Sequence, residues 1–290
     1  PGSQNLKLTR KYYTEDMPDG RVKHIVQNIT DPDIVPYIPD GIGNSTDRQR
    51  IPAVLIIPGG AFRRLVYNFE GEDVAKWLNS MGIAAFVLEC RLPSDEHDNA
   101  EDVPLIDAMR AMRVIRGRAQ EFGIDEAKIG VMGFSAGGFM AALLSTAYES
   151  DVYADYKYKD EYDKLSARPD FAVCSYPVIS IDDCIEAGKR YMSEEQVLER
   201  ISDSKAKILH KYNPDKLVRP DMPPVFICET DDDRTTLSEN SVGFYMAARK
   251  AGVSAELHIF RTGGHGYGCG DDFAQTGEWK VLFTKWIKSI

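Results

Sequence analysis

The sequence predicts an α/β fold: a central, mostly parallel sheet with an antiparallel N-terminal edge and helices on both faces. Two observations carry this prediction. From residue 53 to the end, short apolar runs alternate with stretches of helical spacing. The apolar runs are continuous rather than alternating in polarity, as strands covered by helices on both faces must be. The chain has 290 residues, 43% of them hydrophobic and 28% charged. That is enough for one large domain or two small ones, and enough to close a core without disulfides; the alternation favours a single domain over residues 1–290, with small insertions.

The elements follow in order. His24–Ile29 and Asp33–Ile38 read as strands separated by the turn Thr30-Asp31-Pro32, because Asp-Pro starts turns. They are expected to form the antiparallel edge. Asp40–Arg50 is polar and glycine-punctuated, a loop or hairpin. Ala53–Ile57 is a fully apolar strand closed by Pro58-Gly59-Gly60. Val74, Trp77, Leu78 and Met81 give Glu70–Met81 a helical face, and Gly82 stops it. Ile83–Leu88 is the next strand. Leu105, Ala108, Met109, Met112 and Ile115 line a helix over Pro104–Phe122 that ends at Gly123. Lys128–Met132 is a strand leading through a glycine-framed turn into the helix Gly138–Tyr148. Phe171–Tyr176, Pro224–Glu229 and Ala255–Phe260 are strands, and Asn240–Arg249 and Glu278–Ile290 are helices.

Two stretches interrupt the alternation, at 149–169 and 182–221. Both are expected to form small caps or an entrance rim, because insertions at strand ends of open α/β sheets shape the site. Tyr148, Tyr153, Tyr156, Tyr158 and Tyr162 could stack on a sugar or aromatic ligand there, or simply pack the insertion.

Charge excludes one class of partner. Lys and Arg number 35 against 45 Asp and Glu, a net −10. This weighs against a polyanion-tracking surface, so no nucleic acid partner is expected. It is compatible with a neutral small molecule or sugar. Cys90, Cys174 and Cys228 lie in or beside apolar runs and read as small core residues. The five cysteines make no close-spaced metal motif, and an odd count leaves at least one unpaired in a monomer. No apolar span long enough to cross a membrane and no signal peptide is visible. Pro1-Gly2-Ser3 reads as an expression scar, which leaves the compartment open between the cytoplasm and a secreted or periplasmic location. A homo-oligomer is compatible with the sequence and not specified by it.

The strongest chemical signal is Gly133-Phe134-Ser135-Ala136-Gly137 between a predicted strand and a predicted helix. That is the context of a nucleophile elbow, where a Cβ at either glycine would clash and the serine stands exposed at the tip. A serine hydroxyl needs a base. Of five histidines, His24 lies on an edge strand, His97 in a polar loop, His210 in the charged insertion and His258 inside a strand. His265 sits between glycines directly after the strand Ala255–Phe260 and is the candidate base. The orienting acid should follow an intervening strand, in the order Ser, Asp, His. Pro224–Glu229 is that strand, and the residues alone leave Asp231, Asp232 and Asp233 open. An oxyanion hole needs backbone N–H groups. Ala136 should supply one, and Gly60 or Ala61 in the Pro58–Phe62 loop another. Arg63 and Arg64 beside that loop are candidates for binding a polar acyl or sugar group, or for pairing with Glu70 or Asp73. Tyr176 and Pro177, after a strand at the same edge, could line the pocket. Neither metal nor cofactor is expected. Asp31, Asp33, Asp271 and Asp272 are scattered pairs without a ligand set, and residues 263–268 are glycine-rich without a P-loop lysine or a helix-opening GxGxxG.

On these residues together the chain resembles the α/β-hydrolase superfamily. More narrowly, it is similar to bacterial carbohydrate esterases of the acetyl xylan esterase group, and to related feruloyl-esterase-like and hormone-sensitive-lipase-like groups. The resemblance runs from about residue 24 to 288. It rests on Pro58-Gly59-Gly60, Glu70-Gly71-Glu72, Pro104-Leu105-Ile106-Asp107-Ala108, Gly133–Gly138, Ser166-Ala167-Arg168-Pro169-Asp170, Tyr176-Pro177-Val178 and Gly263-Gly264-His265-Gly266. It implies the α/β-hydrolase fold with an eight-stranded, mostly parallel sheet and a Ser–Asp–His triad. It also implies an acylated carbohydrate as substrate, with small ester groups removed from decorated plant polysaccharides. The resemblance selects Asp233 over Asp232, since Asp233-Arg234-Thr235-Thr236 aligns with the segment that carries the acid. The chain departs from the pattern at Arg234-Thr235-Thr236, where a Pro-Val-Val-like stretch is usual, and at Ala61-Phe62-Arg63-Arg64, where relatives often carry Gly-Tyr or Gly-Gly. Both departures bear on acyl preference. The rival readings are a general short-chain carboxylesterase and a non-catalytic carbohydrate-binding protein on a hydrolase fold.

Overall fold

A computed structural model describes residues 5, 7–42, 50–154, 160–193, 195–196, 206–270 and 275–290. Its strands are β1 (Lys11–Asp16), β2 (Val22–Gln27), β3 (Asp33–Tyr37), β4 (Ile51–Ile57), β5 (Leu65–Val66), β6 (Ala84–Glu89), β7 (Ile124–Phe134), β8 (Ala172–Ser175), β9 (Val225–Thr230) and β10 (Ala255–Phe260). The helices are α1 (Asp73–Ser80), α2 (Val103–Gly117), α3 (Ala119–Phe122), α4 (Ala136–Ala147), α5 (Ile181–Tyr191), α6 (Ala206–Lys211), α7 (Ser238–Lys250) and α8 (Glu278–Trp286).

The central sheet runs β10-β9-β8-β7-β4-β6-β3, and every neighbouring pair is parallel except β3 with β6. The fold class is therefore the α/β-hydrolase architecture expected, with its antiparallel edge at β3. The strand count differs: seven strands join this sheet among the described residues, against eight implied by the resemblance. The reason lies in β2, the strand read as His24–Ile29. It pairs on one side with β1 and on the other with β5, making a separate three-stranded antiparallel sheet. β1 is too polar to read as a strand, so this partner was not visible in the sequence.

Strand periodicity sorts the core into two layers. Ala53, Leu55 and Ile57 of β4 face α2, α4 and α7, packing with Leu105, Met112, Phe139, Leu143 and Phe244. Val54 and Ile56 face the other way, onto Val74 and Leu78 of α1 and Trp279 and Phe283 of α8. Each fully buried side chain of this size stabilises the fold by about 1.5–3 kcal/mol. The long helix expected over Pro104–Phe122 divides at Arg118, whose backbone (φ −102°, ψ 17°) leaves helical geometry, and α3 closes on Gly123 at φ 67°.

The two insertions differ in position. The described parts of the first stretch, 149–154 and 160–169, follow the far end of α4 and precede β8, so they lie at the sheet edge opposite Ser135 and do not rim the pocket. They pack on α2, where Arg110 pairs with Asp160 and Asp163 and Arg116 reaches the carbonyls of Ser166 and Arg168. Tyr148 and Tyr153 are buried and Tyr162 covers Gly117, so these three pack the insertion; Tyr156 and Tyr158 lie outside the described residues. The second stretch leaves β8 at the Ser135 edge. There Lys211 and Tyr212 both donate to Asp102, just before α2.

Arg91, just beyond β6, is held by Asp107 of α2 in a buried pair. Nη2 donates to Oδ1 at 2.6 Å, Nε lies 3.1 Å from Oδ2, and the Arg91 amide donates to Oδ2 at 2.9 Å; the side chains are 1% and 3% exposed. Asp107→Ala would leave a buried guanidinium without this partner. Urea unfolding should show a loss of about 3–5 kcal/mol, and a loss below about 1 kcal/mol would contradict the assigned weight of this pair.

Candidate active site

Parallel strands bring their carboxyl ends to one edge, so the loops after β4, β7, β8, β9 and β10 converge. Ser135 follows β7 directly, at φ 54° and ψ −118°, a conformation unfavourable for any residue with a Cβ. Two glycines make the turn sterically feasible. A Cβ on Gly133 would lie 2.0 Å from the Gly137 carbonyl oxygen, and one on Gly137 would lie 1.9 Å from the Ile57 carbonyl oxygen. The Ser135 amide donates to Ser175 at 3.0 Å, and Ser135 O accepts the Phe139 amide at 3.0 Å.

The structure brings three of the predicted residues together. Ser135 Oγ and His265 Nε2 are 2.8 Å apart, and His265 Nδ1 lies 2.6 Å from Asp233 Oδ2. A carboxylate can only accept here, so Nδ1 carries the proton and Nε2 is left to accept from the serine. Asp233 is fixed in turn. Its Oδ1 accepts the Thr235 and Thr236 amides at 2.7 and 2.9 Å, and the Thr236 hydroxyl donates to Oδ2 at 3.0 Å. Burial alone would raise the Asp233 carboxyl, but His265 and the two amides outweigh it and hold the group below the ordinary carboxylate range. Asp232 points elsewhere. Its Oδ1 accepts the amides of Gly263 and Gly264 at 3.0 and 2.8 Å, shaping the loop that delivers His265.

The loop after β4 passes close to the serine. A Cβ on Gly59 would lie 2.9 Å from Ser135 Cβ and 2.5 Å from the Phe134 carbonyl oxygen. Gly60 (φ 140°), Ala61 (φ 56°) and Phe62 (φ 60°) turn the chain sharply. Among the described residues, the amides of Gly60, Ala61 and Ala136 have no hydrogen-bond acceptor.

The expected pocket liners fare differently. Tyr176 is fully buried, its ring edge against the His265 imidazole with centroids 5.1 Å apart, so its side chain supports the site from beneath. Pro177 is also buried, against Gly138. Arg64 turns away to Glu15 of β1, rather than to Glu70 or Asp73. Arg63 is exposed. Two acids were not singled out as site residues by the sequence. Glu70 lies under the serine. Glu229 lies behind Asp233, with Oε1 accepting the Thr230 amide at 2.9 Å and Oε2 accepting the Ser241 hydroxyl at 3.3 Å. Glu229 was legible in principle, as an acid within the apolar run 225–229. Glu70 was legible in principle too: it lies four residues before Val74, on the apolar face of the helix read over Glu70–Met81.

A serine–histidine–carboxylate line at the carboxyl edge of a parallel sheet, with the serine on a glycine-framed elbow, is the arrangement of serine hydrolases of the α/β-hydrolase fold. Comparison with known proteins narrows this. Residues 42–247 match the BD-FAE family model, and the chain belongs to that family. It is 31% identical over 240 residues to an acetylxylan esterase of Xylanibacter ruminicola, covering 82% of this chain and 45% of that protein. It is 31% identical over 227 residues to endo-1,4-beta-xylanase B of Butyrivibrio fibrisolvens, covering 78% and 34%. The chain thus spans less than half the length of these curated relatives. Among solved structures, an acetyl ester-xyloside bifunctional hydrolase from Caldicellulosiruptor lactoaceticus is 38% identical with a TM-score of 0.70, covering 89% of this chain and 88% of that one.

Burial, with the charge of Asp233 beside it, pushes the Glu229 carboxyl well above the ordinary carboxylate range. A carboxyl whose folded value is raised contributes stability below its unfolded value and loses it as pH rises through the folded one. Glu229→Gln cannot ionise. Its thermal midpoint should therefore fall less than the parent's from mildly acidic to alkaline pH; parallel midpoints would show that Glu229 is already ionised in the native state.

Proposed function

We propose that the protein is a serine esterase that removes acetyl or similarly small acyl groups from plant oligo- or polysaccharides such as acetylated xylan. The observation that carries the chemistry is the unbroken line of hydrogen bonds Ser135–His265–Asp233, at 2.8 and 2.6 Å. His265 Nε2 takes the Ser135 proton as Oγ attacks the ester carbonyl. The amides of Ala136 and the Gly60–Ala61 loop receive the oxyanion. Asp233 keeps the imidazole in the reactive tautomer and stabilises it when protonated. The imidazolium then protonates the departing sugar oxygen, leaving an acyl-enzyme. Water, deprotonated by the same histidine, releases the acid. No step requires a metal or cofactor.

The sugar substrate is supported by what the relatives are named for: an acetylxylan esterase and an acetyl ester-xyloside hydrolase. One observation favours a second reading, a general short-chain carboxylesterase. Of the four side chains expected to bind substrate or line the pocket, Tyr176 and Pro177 are buried and Arg64 is engaged by Glu15.

Acetate release from acetylated xylooligosaccharides, measured beside p-nitrophenyl acetate hydrolysis, separates the two. The proposal expects turnover of both; hydrolysis of the aryl ester without acetate release from the glycan would favour the general esterase. Ser135→Ala should remove nearly all turnover with the fold intact, and full activity in that variant would sink the mechanism. Asp233→Asn should lower kcat by about 10⁴-fold, whereas Asp232→Asn, which loosens the histidine loop, should cost at most about 10²-fold.

A further inference from the structure

Beneath Ser135 lies a carboxylate that none of these steps uses. Glu70 is 5% exposed, and its two oxygens are committed to different loops. Oε2 accepts the Gly59 amide at 2.8 Å, immediately before the proposed oxyanion donors. Oε1 accepts the Tyr176 hydroxyl at 2.9 Å. That hydroxyl in turn accepts the Gly268 amide at 3.0 Å, three residues beyond His265, while the Tyr176 ring meets the imidazole edge-on at 70°. A Cβ on Gly59 would lie 2.7 Å from Glu70 Oε2 and 2.9 Å from Ser135 Cβ, so the carboxylate is one backbone layer from the nucleophile. One acid and one tyrosine thus join the loop after β4 to the loop that carries His265.

Shape alone does not account for an acid here. A buried carboxylate carries a large desolvation cost, and an apolar or amide side chain would avoid it. Burial raises the Glu70 carboxyl above its ordinary range even though the positive charge of His265, the bonds from Tyr176 and Gly59, and the charge of Lys23 on β2 work against it. Its bonding pattern is that of a carboxylate: both oxygens accept, one from the Gly59 amide and one from the Tyr176 hydroxyl, whose own oxygen is taken by the Gly268 amide. Its negative charge has its counterpart in the imidazolium that forms as Ser135 attacks.

We propose that Glu70, as a carboxylate, is a positioning residue for the hydrolysis: it locks the two loops in register through Gly59 and Tyr176 and favours the imidazolium of His265. This rests on the reading of Ser135 and His265 as nucleophile and base. Glu70 does not touch substrate, and neither it nor Tyr176 gives up a proton.

The test compares kcat, KM and the pH profile of kcat/KM on p-nitrophenyl acetate for the parent, Glu70→Gln and Tyr176→Phe, each checked by thermal melt and by fluorophosphonate labelling. Glu70→Gln should lower kcat by about tenfold or more with KM within about twofold. It should also move the acid limb of the profile to lower pH, because a neutral amide no longer favours the protonated imidazole. Tyr176→Phe keeps the charge and breaks the link, so it should lower kcat with the acid limb in place. Parental kcat in Glu70→Gln overturns the proposal, as does a reduced kcat with an unmoved acid limb, which packing alone would produce. If Glu70→Gln does not fold, Tyr176→Phe decides: undiminished kcat there overturns it. A parent that neither labels nor turns over the ester overturns the esterase reading, and this one with it; a parent that does both, beside an unaffected Glu70→Gln, refutes the role of Glu70 alone.

Discussion

The backbone of Ser135 is held at φ 54° and ψ −118°, and the rest of the site is arranged around that turn. Such a conformation costs on the order of 1–3 kcal/mol and persists only where its surroundings over-determine it. Here β7 enters from one side and α4 leaves on the other. The two passes come so close that a Cβ at Gly133 would collide with the Gly137 carbonyl. Hydrogen bonds from the Ser135 amide to β8, and from the first turn of α4 back to Ser135, fix the turn at both ends. The serine Oγ is thereby held 2.8 Å from His265 without a flexible loop of its own.

The other partners come to the serine on longer loops, and each loop has its own anchor. Asp232 holds the amides at the root of the histidine loop, leaving Asp233 to meet the imidazole. The loop after β4 is anchored further away. It runs into β5, which is a strand of the N-terminal sheet, and Arg64 pairs with Glu15 of β1 in that sheet. The small sheet is therefore the footing of the proposed oxyanion loop rather than an extension of the main one.

Local rules explain what was legible. The strand order is not written in any segment, but the elbow is, because Gly-x-Ser-x-Gly between an apolar run and a helix admits few other conformations. His265 was legible because glycines flank it just past a strand. Asp233 was not separable from Asp232 by chemistry, since their difference lies in which amides each reaches, a property of the folded loop. Tyr176 misled for a related reason. Its position after β8 is at the site edge, but its φ of 38° turns the side chain under the histidine. Glu70 escaped because, although it lies four residues before Val74 on the apolar face of the expected helix, an acid at a helix start reads as solvent-facing, and what it bonds to is a property of the folded loops. Residues 149–169 are expected at the rim; the direction of α4, which carries the chain away from Ser135, sets their described parts, 149–154 and 160–169, at the opposite edge.

The most direct test of the account is chemical. After treatment with a fluorophosphonate, mass spectrometry of the digested protein should find the adduct on the peptide containing Ser135, and His265→Ala should label far more slowly. An adduct confined to another serine, or equal labelling in the His265 variant, would contradict the coupling of nucleophile and base on which the account depends.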